Sequence, residues 1–250
     1  MSGHSKWHNI REKKSKVDAV KGKAFTKIAR EIMMAARQGG GNPEANFRLR
    51  LALIKAKEVN MPKDNIERAI QKGSGQGSEE GYEEMLYEGY GPGGVAVLME
   101  IATDNRNRTA GDLRSLFSKH GGNLGESGCV AWMFEKKGIL YFDSETTNED
   151  ELLSAALEAG ALDLKKDGET LEVYTLPSDF EKVKKELEGK KFIPSSYELT
   201  MVPQSSITLN RQAAGQLIKL LNILEEHEDV QKVHSNFEIE DALLEELVSS

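Results

Sequence analysis

The chain is nearly devoid of cysteine: Cys129 is the sole one in 250 residues. A single thiol can form neither an internal disulfide nor a thiolate metal cluster, and it suits a reducing compartment. Long apolar runs are missing too. Met1 to Arg11 is polar and basic, without the apolar stretch of a signal peptide, and no segment approaches the length of a membrane span. A cytoplasmic protein with no membrane partner is expected. Positive charge is also scarce overall, with 33 Lys and Arg against 41 Asp and Glu and a net charge of −8. As an average, that argues against a nucleic-acid ligand.

The average hides a division. Residues 1–72 hold 17 Lys and Arg against 7 acidic residues, a net of +10; the remainder holds 16 against 34, a net of −18. Such asymmetry reads as a basic binding module joined to an acidic body, although a basic helical face that only aids solubility gives the same count. Polyphosphates answer such charge strongly, because each neutralised phosphate releases counterions.

Catalytic constellations are lacking. His4, His8, His120, His227 and His234 show no zinc-ligand spacing with a thiol or carboxylate. Cys129, between Gly128 and Val130, reads as a small strand-side residue rather than a nucleophile. Gly91-Pro92-Gly93-Gly94 and Gly121-Gly122-Asn123-Leu124-Gly125 have neither the spacing of a dinucleotide fingerprint nor a Walker lysine, so they read as hairpin and helix-stop glycines. No enzyme, cofactor, metal or small-molecule substrate is expected.

The pattern along the chain predicts an α+β protein. Residues 1–23 read as a lysine-rich arm. Phe25, Ile28, Ala29, Ile32 and Ala36 form one apolar helical stripe, ended by Gly39-Gly40-Gly41. A second helix starts near Glu44, with Phe47, Leu51, Ala52 and Ile54 inward. A third, with Ile66, Ala69 and Ile70, stops at Gly73. Together they predict a three-helix bundle, followed by a flexible linker at Gly73–Gly81. The period then changes to two, predicting strands at Met85–Tyr90 and Val95–Thr103. A helix at Arg108–His120 and short strands near Asn123–Leu124 and Val130–Glu135 follow. Residues 138–202 spell β-α-β-β-α-β, a ferredoxin-like order, with Ser178 as a cap for the second helix. Residues 82–135 lack a second helix and a closing strand, and the segment after Pro203 supplies both. The expected domains are therefore 1–80, a split α+β domain of 81–137 plus 203–250, and an inserted ferredoxin-like domain at 138–202.

Two segments are candidates for binding. The first is the arm and bundle: Lys6, Lys13, Lys14, Lys16, Lys21, Lys23, Lys27 and Arg30, extended by Arg48, Arg50, Lys55 and Lys57. Lysines there would neutralise phosphates, while Trp7 either stacks on a base or packs on the bundle. The second is Thr103-Asp104-Asn105-Arg106-Asn107-Arg108-Thr109. Arg106 and Arg108 stand at a helix N-terminus, where the macrodipole favours an anion. Either an anion sits there, or Asp104 neutralises one arginine while Asn105 or Asn107 caps the helix.

Several motifs also carry a resemblance over essentially the whole chain. They are Gly3-His4-Ser5-Lys6-Trp7, Gly22-Lys23 with Phe25-Thr26-Lys27, Asn60-Met61-Pro62-Lys63-Asp64-Asn65-Ile66-Glu67-Arg68-Ala69-Ile70, Tyr87-Glu88-Gly89-Tyr90-Gly91-Pro92-Gly93-Gly94, the Thr103–Thr109 segment and Gly121–Gly125. In this order they resemble the YebC/PmpR family. The resemblance implies an N-terminal helical bundle and two α+β domains, one of them split. It implies a cytoplasmic, non-enzymatic transcriptional regulator that binds DNA; mitochondrial relatives, described as translational activators, imply RNA or the ribosome instead. Phe47 stands where the family often has proline and Cys129 where it often has serine. The sequence sets neither the target nor the oligomeric state.

Overall fold

The computed structural model describes residues 18–75, 81–240, 243 and 246–247, with the side chains of residues 18–21 and 23 outside that description. Contacts divide the chain into two compact units. One comprises residues 133–205. The other joins the described residues from 18 to 132 with those from 206 onward.

The larger unit begins with three helices, α1 (Asp18–Gly39), α2 (Phe47–Glu58) and α3 (Lys63–Gly73). Helix α1 starts at Asp18, so the arm expected over 1–23 is helical in its last residues. Helix α2 starts three residues later than Glu44, because Asn46 is its cap. The Asn46 carbonyl oxygen accepts from the Leu49 amide at 3.0 Å, and its amide donates to Ala35 and Gly40 carbonyls at 2.7 and 2.8 Å. One buried side chain thus ties the end of α1 to the start of α2. Ile28, Ile32 and Ala35 meet Leu49, Ala52 and Ala56 of α2 and Ala69 of α3 in a small core. Phe47, expected inward, is half-buried, with the Arg50 guanidinium 5.4 Å from its ring centre.

After the bundle come β1 (Glu83–Tyr90), β2 (Ala96–Thr103), α4 (Arg106–Lys119) and β3 (Asn123–Leu124). The chain returns from the other unit with β8 (Ile207–Thr208), α7 (Arg211–Glu226), β9 (Val230–Ser235) and β10 (Phe237–Glu238). The sheet order is β3-β1-β2-β9, antiparallel throughout. Strand β9 therefore closes the sheet against β2 from beyond the insert, as the incomplete middle segment required. Val97, Met99 and Ile101 of β2 pack with Leu113 and Phe117 of α4 and Leu217, Leu221 and Leu224 of α7. Each such side chain contributes about 1.5–3 kcal/mol by leaving water. Gly89 and Gly122 permit this closeness: a Cβ on Gly89 would stand 2.7 Å from Phe117, and one on Gly122 2.6 Å from the Tyr90 carbonyl.

Residues 133–205 hold β4 (Phe134–Asp143), α5 (Glu149–Ala159), β5 (Asp163–Asp167), β6 (Thr170–Thr175), α6 (Phe180–Gly189) and β7 (Ser196–Pro203). Their sheet order, β5-β6-β4-β7, reads second, third, first, fourth. The larger unit's sheet has the same spatial order if β2 counts as first, β3 as second, β1 as third and β9 as fourth. It is a ferredoxin-like sheet whose third strand has moved to the front of the chain. The expected strands Val130–Glu135 and Gly138–Phe142 are corrected: a 3-10 turn at Ala131–Met133 precedes one continuous β4. The boundary drawn at 137/138 falls inside that strand. Gly138 is no breaker there; a Cβ would come within 2.1 Å of Phe180, so glycine lets α6 lie on the strand. Asp179, not Ser178, precedes α6.

Candidate nucleic-acid interface

Asp229, in the turn between α7 and β9, is buried and gathers four donors. Its carboxylate accepts from Arg30 at 3.1 Å, Arg108 at 3.0 Å, Thr109 at 2.7 Å and Thr103 at 3.2 Å. These donors come from α1, α4 and the end of β2. Burial alone would raise this carboxyl, but the hydrogen bonds from Thr109 and Arg108 and the charges of Arg108 and Arg30 outweigh it. Its pKa stays below the usual carboxylate range. Arg30 also donates to the Glu228 carbonyl, and its guanidinium lies 4.8 Å from the Tyr82 ring centre. Lys27 donates to the Glu225 carbonyl.

A second set of pairs lies along α2. Arg48 is clasped by both oxygens of Glu84, one at 2.9 Å, while Gln38 bonds both of them. Lys55 meets both oxygens of Glu31 at 2.8 and 3.1 Å. Burial opposes the ionised Glu31, but Lys55, Lys232 and Arg48 hold its pKa below the ordinary value. Arg50 donates to the Pro43 and Glu44 carbonyls, each at 2.8 Å.

At the start of α4, Asn105 is the cap and accepts from the Arg108 amide at 3.0 Å. Helix α4 opens at Arg106, two residues earlier than expected. Asp104 pairs with Arg108 at 2.8 Å. The structure therefore realises the capping alternative, with Asp229 as an added partner. Arg106 points outward, its side chain 67% exposed, with Glu83 3.6 Å away.

The expected binding residues thus separate into groups. Lys6, Trp7, Lys13, Lys14 and Lys16 lie outside the described residues, as do the side chains of Lys21 and Lys23. Arg30 is corrected: it is 7% exposed and held by Asp229, so it does not face a surface polyanion. Lys27, Arg48, Arg50, Lys55 and Arg108 are engaged by protein oxygens, and Arg106 is largely open. Sequence reasoning missed the acidic partners, Asp229 and Glu84. Asp229 is 199 positions from Arg30, and no local pattern announces such a pair.

Glu88 was missed in the same way. It is buried on β1, and its oxygens accept from the amides of Gly128 at 2.6 Å and of Val130 and Ala131 at 2.7 Å. Burial opposes its charge, but these three amides hold its pKa below the ordinary value. The loop is an anion-binding nest, and a side chain of the protein already fills it. Cys129 lies in this loop rather than on a strand. Burial, then the charge of Glu88, pushes its thiol upward, away from the reactive thiolate.

These features define a three-part α+β protein: a helical module held by ion pairs to a permuted ferredoxin-like domain, which carries a second ferredoxin-like domain as an insert. The TACO1/YebC N-terminal domain model matches residues 5–76, and that of the TACO1/YebC second and third domain matches residues 82–237. The chain belongs to this family. A protein of Carboxydothermus hydrogenoformans, 54% identical over 244 residues, covers 96% of this chain and is itself covered completely. One from Syntrophus aciditrophicus is 54% identical over 250 residues, with 99% of each chain covered. Both are called "Probable transcriptional regulatory protein". Among solved structures, a conserved hypothetical protein from Aquifex aeolicus is 49% identical, with a TM-score of 0.81, and the match covers 91% of this chain and 94% of that one.

Proposed function

We propose that the protein is a non-enzymatic, cytoplasmic regulator of the YebC type that binds duplex DNA through its basic amino-terminal segment. The observation that carries this reading is the division of charge. Residues 6–23 hold seven Lys and Arg against Glu12 and Asp18, whereas Arg30, Arg48 and Lys55 further along are balanced by carboxylates. Half of the module's net +10 therefore falls on this short stretch, on Lys6, Lys13, Lys14, Lys16, Lys21 and Lys23 with Trp7 among them to stack. The names of the relatives support a regulator, and no helix of the described residues is long and apolar enough to cross a membrane.

Selection from a random duplex library tests the reading. A sequence-specific regulator enriches one motif and binds it far more tightly than random DNA at physiological salt. Replacing Lys13, Lys14 and Lys16 with alanine should weaken binding and flatten its salt dependence. No enrichment, together with sedimentation on ribosomes, would replace DNA with ribosomal RNA as the target.

A further inference from the structure

Within the acidic body, helix α4 runs against the trend. Residues 105–122 carry Arg106, Arg108, Arg114 and Lys119 against Asp112 alone. At 3.6 residues per turn, Asn107, Gly111, Arg114, Ser115 and Ser118 fall on one side, and all five are exposed. Thr109, Leu113 and Phe117 fall on the other and are buried. Arg108 is taken by Asp229 and Asp104, but neither Arg114 nor Lys119 makes an ion pair among the described residues. No large exposed hydrophobic residue lies on α4, so the face does not suit an apolar protein contact.

We propose that this outer face of α4 is a second DNA contact, with Arg114 at one edge of the face and Lys119 at the other addressing phosphates of the duplex. The inference rests on the reading that the protein binds nucleic acid. Charge complementarity carries it: this is a cationic helix face on a body that otherwise repels a polyanion. Arg114 and Lys119 are separated by about 8 Å along the helix, a length over which duplex DNA presents roughly four phosphates. The space above Gly111 is open, with nothing within 4 Å of where a Cβ would stand, so the duplex can approach the helix between the cations.

The test uses the full chain with Arg114→Ala and Lys119→Ala combined, titrated against a 30-base-pair DNA duplex (~30, enough to span the face) over a range of salt. Both residues are exposed, so the urea midpoint should stay at the wild-type value. Affinity should fall about tenfold at moderate salt, and the slope of log affinity against log salt should lose about 1.8, the release from two phosphates. Gly111→Gln, which leaves the charge unchanged, should weaken binding as well by blocking approach. Unchanged affinity and slope in a folded double variant would overturn the inference while leaving the amino-terminal reading intact. A wild-type protein that binds neither this duplex nor its RNA counterpart removes both. If the double variant loses only RNA binding, the DNA assignment of the face is wrong.

Discussion

Arg30 of α1 and Asp229 of the α7–β9 turn meet at 3.1 Å across 199 positions of sequence, both buried. Their pairing fixes where the helical module stands on its own body. Because Asp229 also receives Arg108 and Thr109, the same carboxylate sets the start of α4. Module and helix thus share one carboxylate, while the Arg48–Glu84 pair adds a second tie for the module and the packing of Leu113 and Phe117 a second tie for the helix.

Asp229→Asn should destabilise the protein by about 3–5 kcal/mol, since it leaves the Arg30 charge buried without its counterion. Urea unfolding measures this. Combining it with Arg30→Met should recover part of the loss, because no uncompensated charge then remains. A loss below about 1 kcal/mol in the single variant would mean that the pair does not hold the module.

Arg106 and Arg108 should behave differently despite lying two residues apart. Arg108→Ala removes a donor from both Asp229 and Asp104 and should lower the unfolding midpoint. Arg106→Ala should leave the midpoint unchanged and weaken DNA binding. Normal DNA affinity in Arg106→Ala would leave that arginine with no role beyond its exposed contact to Glu83.

Glu88→Gln should cost about 2–3 kcal/mol, because an amide offers one acceptor oxygen where three backbone amides converge and turns its own N–H groups toward them. Trp132 provides the local reporter: its indole donates to the Cys129 carbonyl in the same loop at 3.2 Å, and Tyr90 donates to that carbonyl at 3.0 Å. Its emission should shift in the variant. An unaltered spectrum would show that the loop keeps its shape without the carboxylate.

Glu172 of β6 should act in the opposite sense. Burial pushes its carboxyl above the ordinary value of 4.5, despite the Tyr174 hydroxyl donating to it at 2.5 Å. The folded state then holds this proton better than the unfolded chain. That stabilisation is full below the unfolded value and is lost as pH rises through the raised folded one. At neutral pH a glutamine is free of this cost and still accepts from Tyr174, so Glu172→Gln should be more stable than wild type by roughly 1 kcal/mol, with the gap closing near pH 4. For Asp229 and Glu88 the pKa is depressed; their contribution is present above the ordinary carboxylate values and fades as pH falls through the folded ones. Urea midpoints across pH 3–8 (roughly the span of carboxylate titration) distinguish the two signs.

The elements were readable where period and punctuation agreed. Helix α7 (Arg211–Glu226) is the second helix expected from the segment after Pro203, and β9 completes the sheet that the middle segment left open. Reading failed where a long-range contact overrode a local signal. Gly138 reads as a strand start but lies inside β4, because its function is to admit Phe180. The candidate site was read through its cations, since lysine and arginine runs are visible in a sequence. Their partners are single carboxylates on distant elements, and only the fold shows which cations are already spent. That is why Arg30 looked available and Arg114 passed unnoticed.

The insert also imposes an order on synthesis. Every strand of the β4–β7 sheet lies between residues 133 and 205, so this unit can finish folding as soon as it emerges. The body cannot: β2 waits for Val230–Ser235, and α4 waits for the leucines of α7. A chain stopped at Ser205 would carry a completed insert on an unfinished host, with the open edge of β2 free to pair with another chain. Arg30 would meanwhile stand without the carboxylate that anchors its helix, so the first module made would be the last to be secured.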